Sequence, residues 1–171
     1  MQKPALNEYG PFHGKYISLV GEGDYFSQLD ENTAEVVQLF GGLSPERQNY
    51  RYGNGKWSLK EMLMHIIDTE RVMLYRALVF GRGDVEATLP NMDQDLYAAG
   101  VNVDGRTMDD LLEEFVIVRQ SSVKLLKQFS LQQSMNAGKM FGFPLTPRAL
   151  AFIILGHAKH HITIAKEKYL K

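Results

Sequence analysis

The chain has 171 residues, 44% of them apolar, with 19 basic against 20 acidic side chains and no cysteine. That size and composition suit one globular domain, residues 1–171, with a proper core, and they argue against intrinsic disorder. The charge balance leaves no basic footprint for DNA or RNA, and the missing cysteine removes disulfides, thiolate ligands and a cysteine nucleophile, so a metal here needs His, Asp, Glu or backbone oxygen.

The first fourteen residues carry Pro4, Glu8 and Gly10 instead of the apolar core of a secretory signal, and residues 1–20 read as an N-terminal arm. No stretch approaches the ~20 apolar residues of a membrane span, so no membrane partner is expected and the expected location is cytoplasmic. The first long helix runs from about Tyr25 to Phe40 and stops at Gly41-Gly42. A short piece follows, with Ser44 as cap and Pro45 in the first helical position. The second helix starts at a capping box, Ser58 and Glu61, with Trp57 just outside. Leu59, Met62, Leu63, Ile66, Ile67, Leu74 and Leu78 give it an apolar face, and Gly81 and Gly83 end it. Thr107, with Asp110 three residues on, suggests a second capping box for the third helix, whose stripe runs from Leu111 to Phe129. Thr146-Pro147 opens the fourth, which continues to the end of the chain.

Between the second and third helices lies a long linker, residues 84–106, with Pro90, Gly100 and Gly105; a shorter one covers residues 132–143. A loop that long in a compact domain usually acts on something or carries a short helix. No pair of β-runs around a hairpin turn stands out. The pattern predicts an all-α fold, an antiparallel four-helix bundle, with room in its links for a crossover connection.

The chemistry-bearing residues are histidines. His157 and His161 lie one turn apart on the stripe that holds Leu150, Ile153, Ile154 and Ile164, so both imidazoles face the core. His65, between Met62 and Ile66, sits near the apolar face of the second helix. Three inward imidazoles from two helices can converge on one divalent ion and leave a fourth position open, as in catalytic zinc sites. The competing reading is a set of hydrogen-bonded core histidines. The H-E-x-x-H motif is absent, since Ala158 and Lys159 follow His157, so no zincin-type glutamate base is built in.

The block Gly55-Lys56-Trp57-Ser58-Leu59-Lys60-Glu61, then His65, Asp68-Thr69-Glu70-Arg71 and Tyr75-Arg76, resembles the second-helix signature of the DinB-like superfamily. The similarity continues through Pro90-Asn91-Met92-Asp93-Gln94-Asp95, Arg119 and Gly156-His157-Ala158-Lys159-His160-His161. This resemblance implies a DinB/YfiT-type four-helix bundle with a crossover and a divalent metal, zinc or nickel, on His65, His157 and His161. It also implies a small-molecule substrate for a metal-dependent hydrolase or a transferase using a low-molecular-weight thiol, and a homodimer. The alternative is a non-catalytic metal-containing binding or stress-response module.

Around the three histidines, Asp68 is one turn from His65 and is a candidate to orient an imidazole or act as a base, against a surface pair with Arg71 or Arg76. Glu70 and Arg71 read as a packing pair. Arg76, about three turns beyond His65 on the same face, is a candidate for an anionic substrate group or for a salt bridge to Asp93 or Asp95. His160, nearer the flank, is a candidate to donate a hydrogen bond beside the site, against simply facing solvent, and Gln94, Asp95 and Tyr97, on the linker that would cover the open metal position, are candidates to contact the substrate. His13, in a flexible-looking arm, has no partner visible in the sequence.

Overall fold

The computed structural model describes all residues, Met1 to Lys171. Its four long helices are Tyr25–Gly41, Leu59–Gly81, Met108–Leu126 and Pro147–Ile164, the last extended by a π-helical turn at Ala165–Tyr169. Each begins on a side-chain cap: Asp24 accepts from the Ser27 amide, Ser58 from Glu61, Thr107 from Asp110 and Thr146 from Ala149. Ser58 and Glu61 complete the expected box. At Thr107 the box stays half-made, because the Asp110 carboxylate is taken by Arg106.

Cross-links give the helix directions. Tyr25 donates to the Ala151 carbonyl and Lys166 pairs with Glu35, so the first and fourth helices run parallel. Lys60 donates to the Arg106 carbonyl and Arg119 meets Glu70, so the second and third also run parallel. First against third (Leu29 with Arg119, Gly41 with Leu112) and second against fourth (Trp57 with Tyr169, His65 with His157) are antiparallel. The principal packing neighbours are these four pairs; helices one and two, and helices three and four, sit across the diagonals. The bundle therefore runs up, down, down, up. The second and third helices can be parallel neighbours only if the chain travels back along the whole bundle, about 35 Å for a 23-residue helix. That return is the reason for the long linker, which folds a short helix, Gln94–Gly100, on its way.

The core divides into two apolar clusters, one around Phe40, Leu63, Leu111 and Phe115, the other around Leu29, Phe80, Leu150 and Phe152. Along the helices, a belt of buried polar groups lies between them: Asn32, His65, Thr69, Glu70, Arg119, Ser122, His157 and His161. Arg119 Nε lies 3.0 Å from both Glu70 oxygens, and its Nη1 donates to Asn32 Oδ1 at 3.2 Å. The expected Glu70–Arg71 pair does not form, because adjacent helix positions point about 100° apart. Arg71 turns outward to Glu114 at 2.6 Å and Asp68 at 3.7 Å.

Two segments depart from the sequence reading. The N-terminal arm is docked: Glu8 pairs with Arg148 and accepts from Thr146, and Ile17 and Val20 are buried. A short helix, Gly14–Ile17, lies against the fourth bundle helix at Gly156, whose hydrogen faces the Tyr16 backbone so closely that an added Cβ would stand 2.0 Å from the carbonyl oxygen. Residues 132–143, read as a loop, contribute to an antiparallel hairpin of Gly138–Met140 and Phe143–Leu145. Its turn places Phe141 at φ 54 and Gly142 at φ 80, the left-handed pair of a type I′ turn. With a phenylalanine in place of the usual Asn or Asp, the turn escaped recognition.

Candidate metal centre

His65 Nε2 lies 3.0 Å from His157 Nε2, which lies 3.1 Å from His161 Nε2. The ligand atoms of all three fall within 4.8 Å of one another. Tetrahedral coordination at 2.0–2.1 Å spaces ligand nitrogens about 3.3 Å apart, so the two pairs that share His157 need only a few tenths of an ångström of opening to receive an ion. The rings are buried and hold no carboxylate or carbonyl in hydrogen-bond contact. Three ring nitrogens turned on one another cannot all be satisfied by protons they share, whereas one cation satisfies all three.

Burial sets the charge state. It pushes His65 down to about 4, and burial with the neighbouring imidazoles pushes His161 to about 3 and His157 well below its ordinary value. The neutral imidazoles are the ligating form. The all-nitrogen donor set suits zinc or nickel and disfavours magnesium or calcium.

Aromatic rings hold the imidazoles in place. The Trp57 ring centroid lies 4.6 Å from that of His65 and 6.4 Å from that of His161. Tyr16 stands edge-on to His157 at 5.4 Å and to half-buried His160 at 5.5 Å. His160 packs beside His161, yet its ring makes no hydrogen bond to the three ligands.

Two cavities approach the three histidines. One, of about 220 Å³, is lined by Trp57, Gln94, Asp95 and His161. The other, of about 180 Å³, is lined by His65 and His157 together with His13, Thr69, Arg76 and Gln94. Gln94 borders both, so the linker runs along the two cavities. The short helix that follows is capped by Asp93, which accepts from the Asp95 and Leu96 amides. Tyr97, on that helix, is 40% exposed and lines neither cavity. A larger concavity, about 600 Å³, lies elsewhere along Lys3, Phe26, Lys127 and Arg148, without a metal-ligating cluster.

Of the residues singled out in the sequence, His65, His157 and His161 converge, while Asp68 is held by Arg71 and bonds no imidazole. Burial raises the Asp68 carboxyl above its ordinary value. Arg76 shares the cavity with His65 but makes no ion pair with Asp93 or Asp95; it donates to the Pro90 carbonyl at 2.9 Å. Sequence reasoning missed His13, which is buried in the cavity wall and pushed down to about 4 by burial and Arg76. It also missed Tyr16 and Phe141. The usable signal was Gly156, a glycine inside a helix next to a buried histidine, which marks a close backbone approach.

The DinB superfamily model matches residues 28–165. The chain belongs to the DinB superfamily. Among solved structures it is similar to YfiT from Bacillus subtilis, described as "a probable metal-dependent hydrolase with an unusual four-helix bundle topology". That similarity has a TM-score of 0.74 at 16% identity, over 97% of this chain and 90% of the other. No curated protein matches the sequence. The shared topology accounts for the up-down-down-up order, and no helix is long and apolar enough to cross a membrane.

Proposed function

We propose that this DinB-superfamily protein is a metal-dependent hydrolase acting on a small molecule, with zinc or nickel held by His65, His157 and His161. The observation that carries this reading is the meeting of three buried Nε2 atoms at the border of two cavities, 3.0 and 3.1 Å apart. When bound, the ion would supply a Lewis acid that brings the pKa of a bound water toward about 7 and a bound thiol to its thiolate.

The chain's own residues do the rest. The imidazoles fix the ion, Trp57 and Tyr16 hold the rings and exclude bulk water, and the Gln94 amide offers a donor and an acceptor to both cavities. Asp95, lining the cavity beside His161, is the carboxylate placed to accept a proton. Asp68 serves the helix surface. A second reading, transfer of a low-molecular-weight thiol, is favoured by the absence of Asp and Glu from the lining of the His65 and His157 cavity, since a thiol held by the ion would give its proton to solvent water and need no protein base.

The test is metal content by elemental analysis, with turnover measured on small esters and amides with and without added thiols. Turnover lost to a chelator, restored by zinc or nickel and absent in His161→Ala is the expected result. Less than a tenth of an ion per chain after loading, by rough criterion, sinks the proposal.

A further inference from the structure

The cavity that holds His65 and His157 also holds a charge that the fold leaves unmatched. Arg76 is 4% exposed, and no carboxylate lies within ion-pair distance of it. Its guanidinium donates to the Pro90 carbonyl at 2.9 Å and reaches the Met73 sulfur at 3.7 Å. A guanidinium carries five N–H donors in a rigid fork, and only one bond here goes to an oxygen. The two other arginines drawn into the fold are matched: Arg119 faces Glu70, and Arg148 faces Glu8. A buried charge without a counter-ion destabilises a fold. A protein that retains one beside a candidate catalytic centre has a use for it there.

The surroundings point to the sign and size of the missing partner. Lys15 is a second cation in the cavity lining, and no Asp or Glu is present. Met73, Met92, Phe141 and Ile153 supply apolar wall. The volume, about 180 Å³, falls below the roughly 300–1,000 Å³ of sites for larger ligands. A planar fork with open donors matches a carboxylate in two-point contact.

We propose that Arg76 is the carboxylate-binding group of this cavity and that the substrate is a small organic acid, its carboxylate on Arg76 and its short carbon skeleton extending past Met73, Met92 and Ile153 toward His65 and His157. This assignment of substrate class rests on the hydrolase reading for its chemistry, while the docking of an acid at Arg76 is measurable without turnover.

The experiment is calorimetric titration of the zinc-loaded protein with acetate, butyrate and benzoate, each beside its neutral amide. The wild type binds the acids and prefers them to the amides by roughly tenfold or more. Arg76→Met weakens the acids by roughly tenfold or more and leaves the amides unchanged, and Arg76→Lys falls between the two because it keeps charge without the fork. Without ligand, Arg76→Met melts no lower than the wild type, because an apolar chain has replaced a stranded charge. Equal affinity for acids and amides, or acid affinity in Arg76→Met equal to the wild type, overturns the proposal. Metal stoichiometry on the same samples separates the two ideas. Acid binding that depends on Arg76 in a chain that takes up no metal refutes the metal reading alone, and full metal with no dependence on Arg76 refutes this one alone.

Discussion

The Glu70–Arg119 pair offers a sharp test of the polar belt. Both side chains are 2% exposed, and the guanidinium bridges three helices: Glu70 on the second, Arg119 on the third, Leu29, Asn32 and Thr33 on the first. Glu70→Leu leaves the Arg119 charge buried with only neutral acceptors, a loss of about 3–5 kcal/mol. For a chain of this length that lowers the melting temperature by roughly 6–20 °C. Arg119→Met strands Glu70 and the acceptors on the first helix, with a loss of similar size. The double variant strands no charge. Its remaining cost is the Asn32 side-chain oxygen without its donor, about 1–3 kcal/mol. The double-mutant cycle in urea, followed by far-ultraviolet circular dichroism, therefore gives a coupling of at least about 3 kcal/mol, with the double variant more stable than either single one. Losses that add within about 0.5 kcal/mol would refute the claim that each partner's burial depends on the other.

Three further outcomes are expected. Removing metal from the loaded protein with a chelator lowers its melting temperature, since ion at 100 times its dissociation constant stabilises by about 2.7 kcal/mol; differential scanning calorimetry shows the shift, and His161→Ala abolishes it. The metal-free protein loses stability as pH falls below 6.5, because His13 and His65, lowered to about 4, His161, lowered to about 3, and His157, lowered well below its ordinary value by burial, stay neutral in the fold while the unfolded chain takes up protons. The slope is up to about 1.4 kcal/mol per pH unit for each group between 6.5 and 4, and a urea midpoint that stays flat from pH 7 to 5 contradicts it. Gly156→Ala sets its methyl 2.0 Å from the Tyr16 carbonyl and forces the N-terminal arm off the fourth helix; hydrogen exchange at residues 14–20 rises, and stability falls by about 1–3 kcal/mol.

The bundle helices were legible because each carried a local signal. A Ser or Thr cap stood at three of the four starts, and glycines stood at the first two ends. His157 and His161 were readable for the same reason, being one turn apart on an apolar stripe. The placement of Arg76 on the His65 face also follows from helical arithmetic, and both line one cavity. Its lack of an acid did not follow, because whether Asp93 reaches it depends on how the linker folds, and Asp93 spends its carboxylate on the amides of its own helix. Glu70 found its partner 49 residues away, beyond any local rule. His13 and Tyr16 reach the site only because the arm docks, and nothing in residues 1–20 alone specifies where. The hairpin was hidden by Phe141 in a left-handed position that usually selects Asn, Asp or Gly.

The unusual helix order has a functional consequence. A simple up-and-down bundle joins its helices by short turns at the two ends, far from mid-bundle side chains. Here the parallel second and third helices require a connection that runs the length of the bundle, and Asn91, Met92 and Gln94 on that connection line the cavity at the level of His65 and His157. The N-terminal arm and the hairpin tip add His13, Tyr16 and Phe141 to the same wall. The three candidate ligand histidines thus stand on the second and fourth helices, while much of the remaining wall comes from three segments outside the bundle helices. Substitutions in those segments can change what the cavity admits without moving a ligand nitrogen, which separates the demands of holding a metal from those of choosing a substrate.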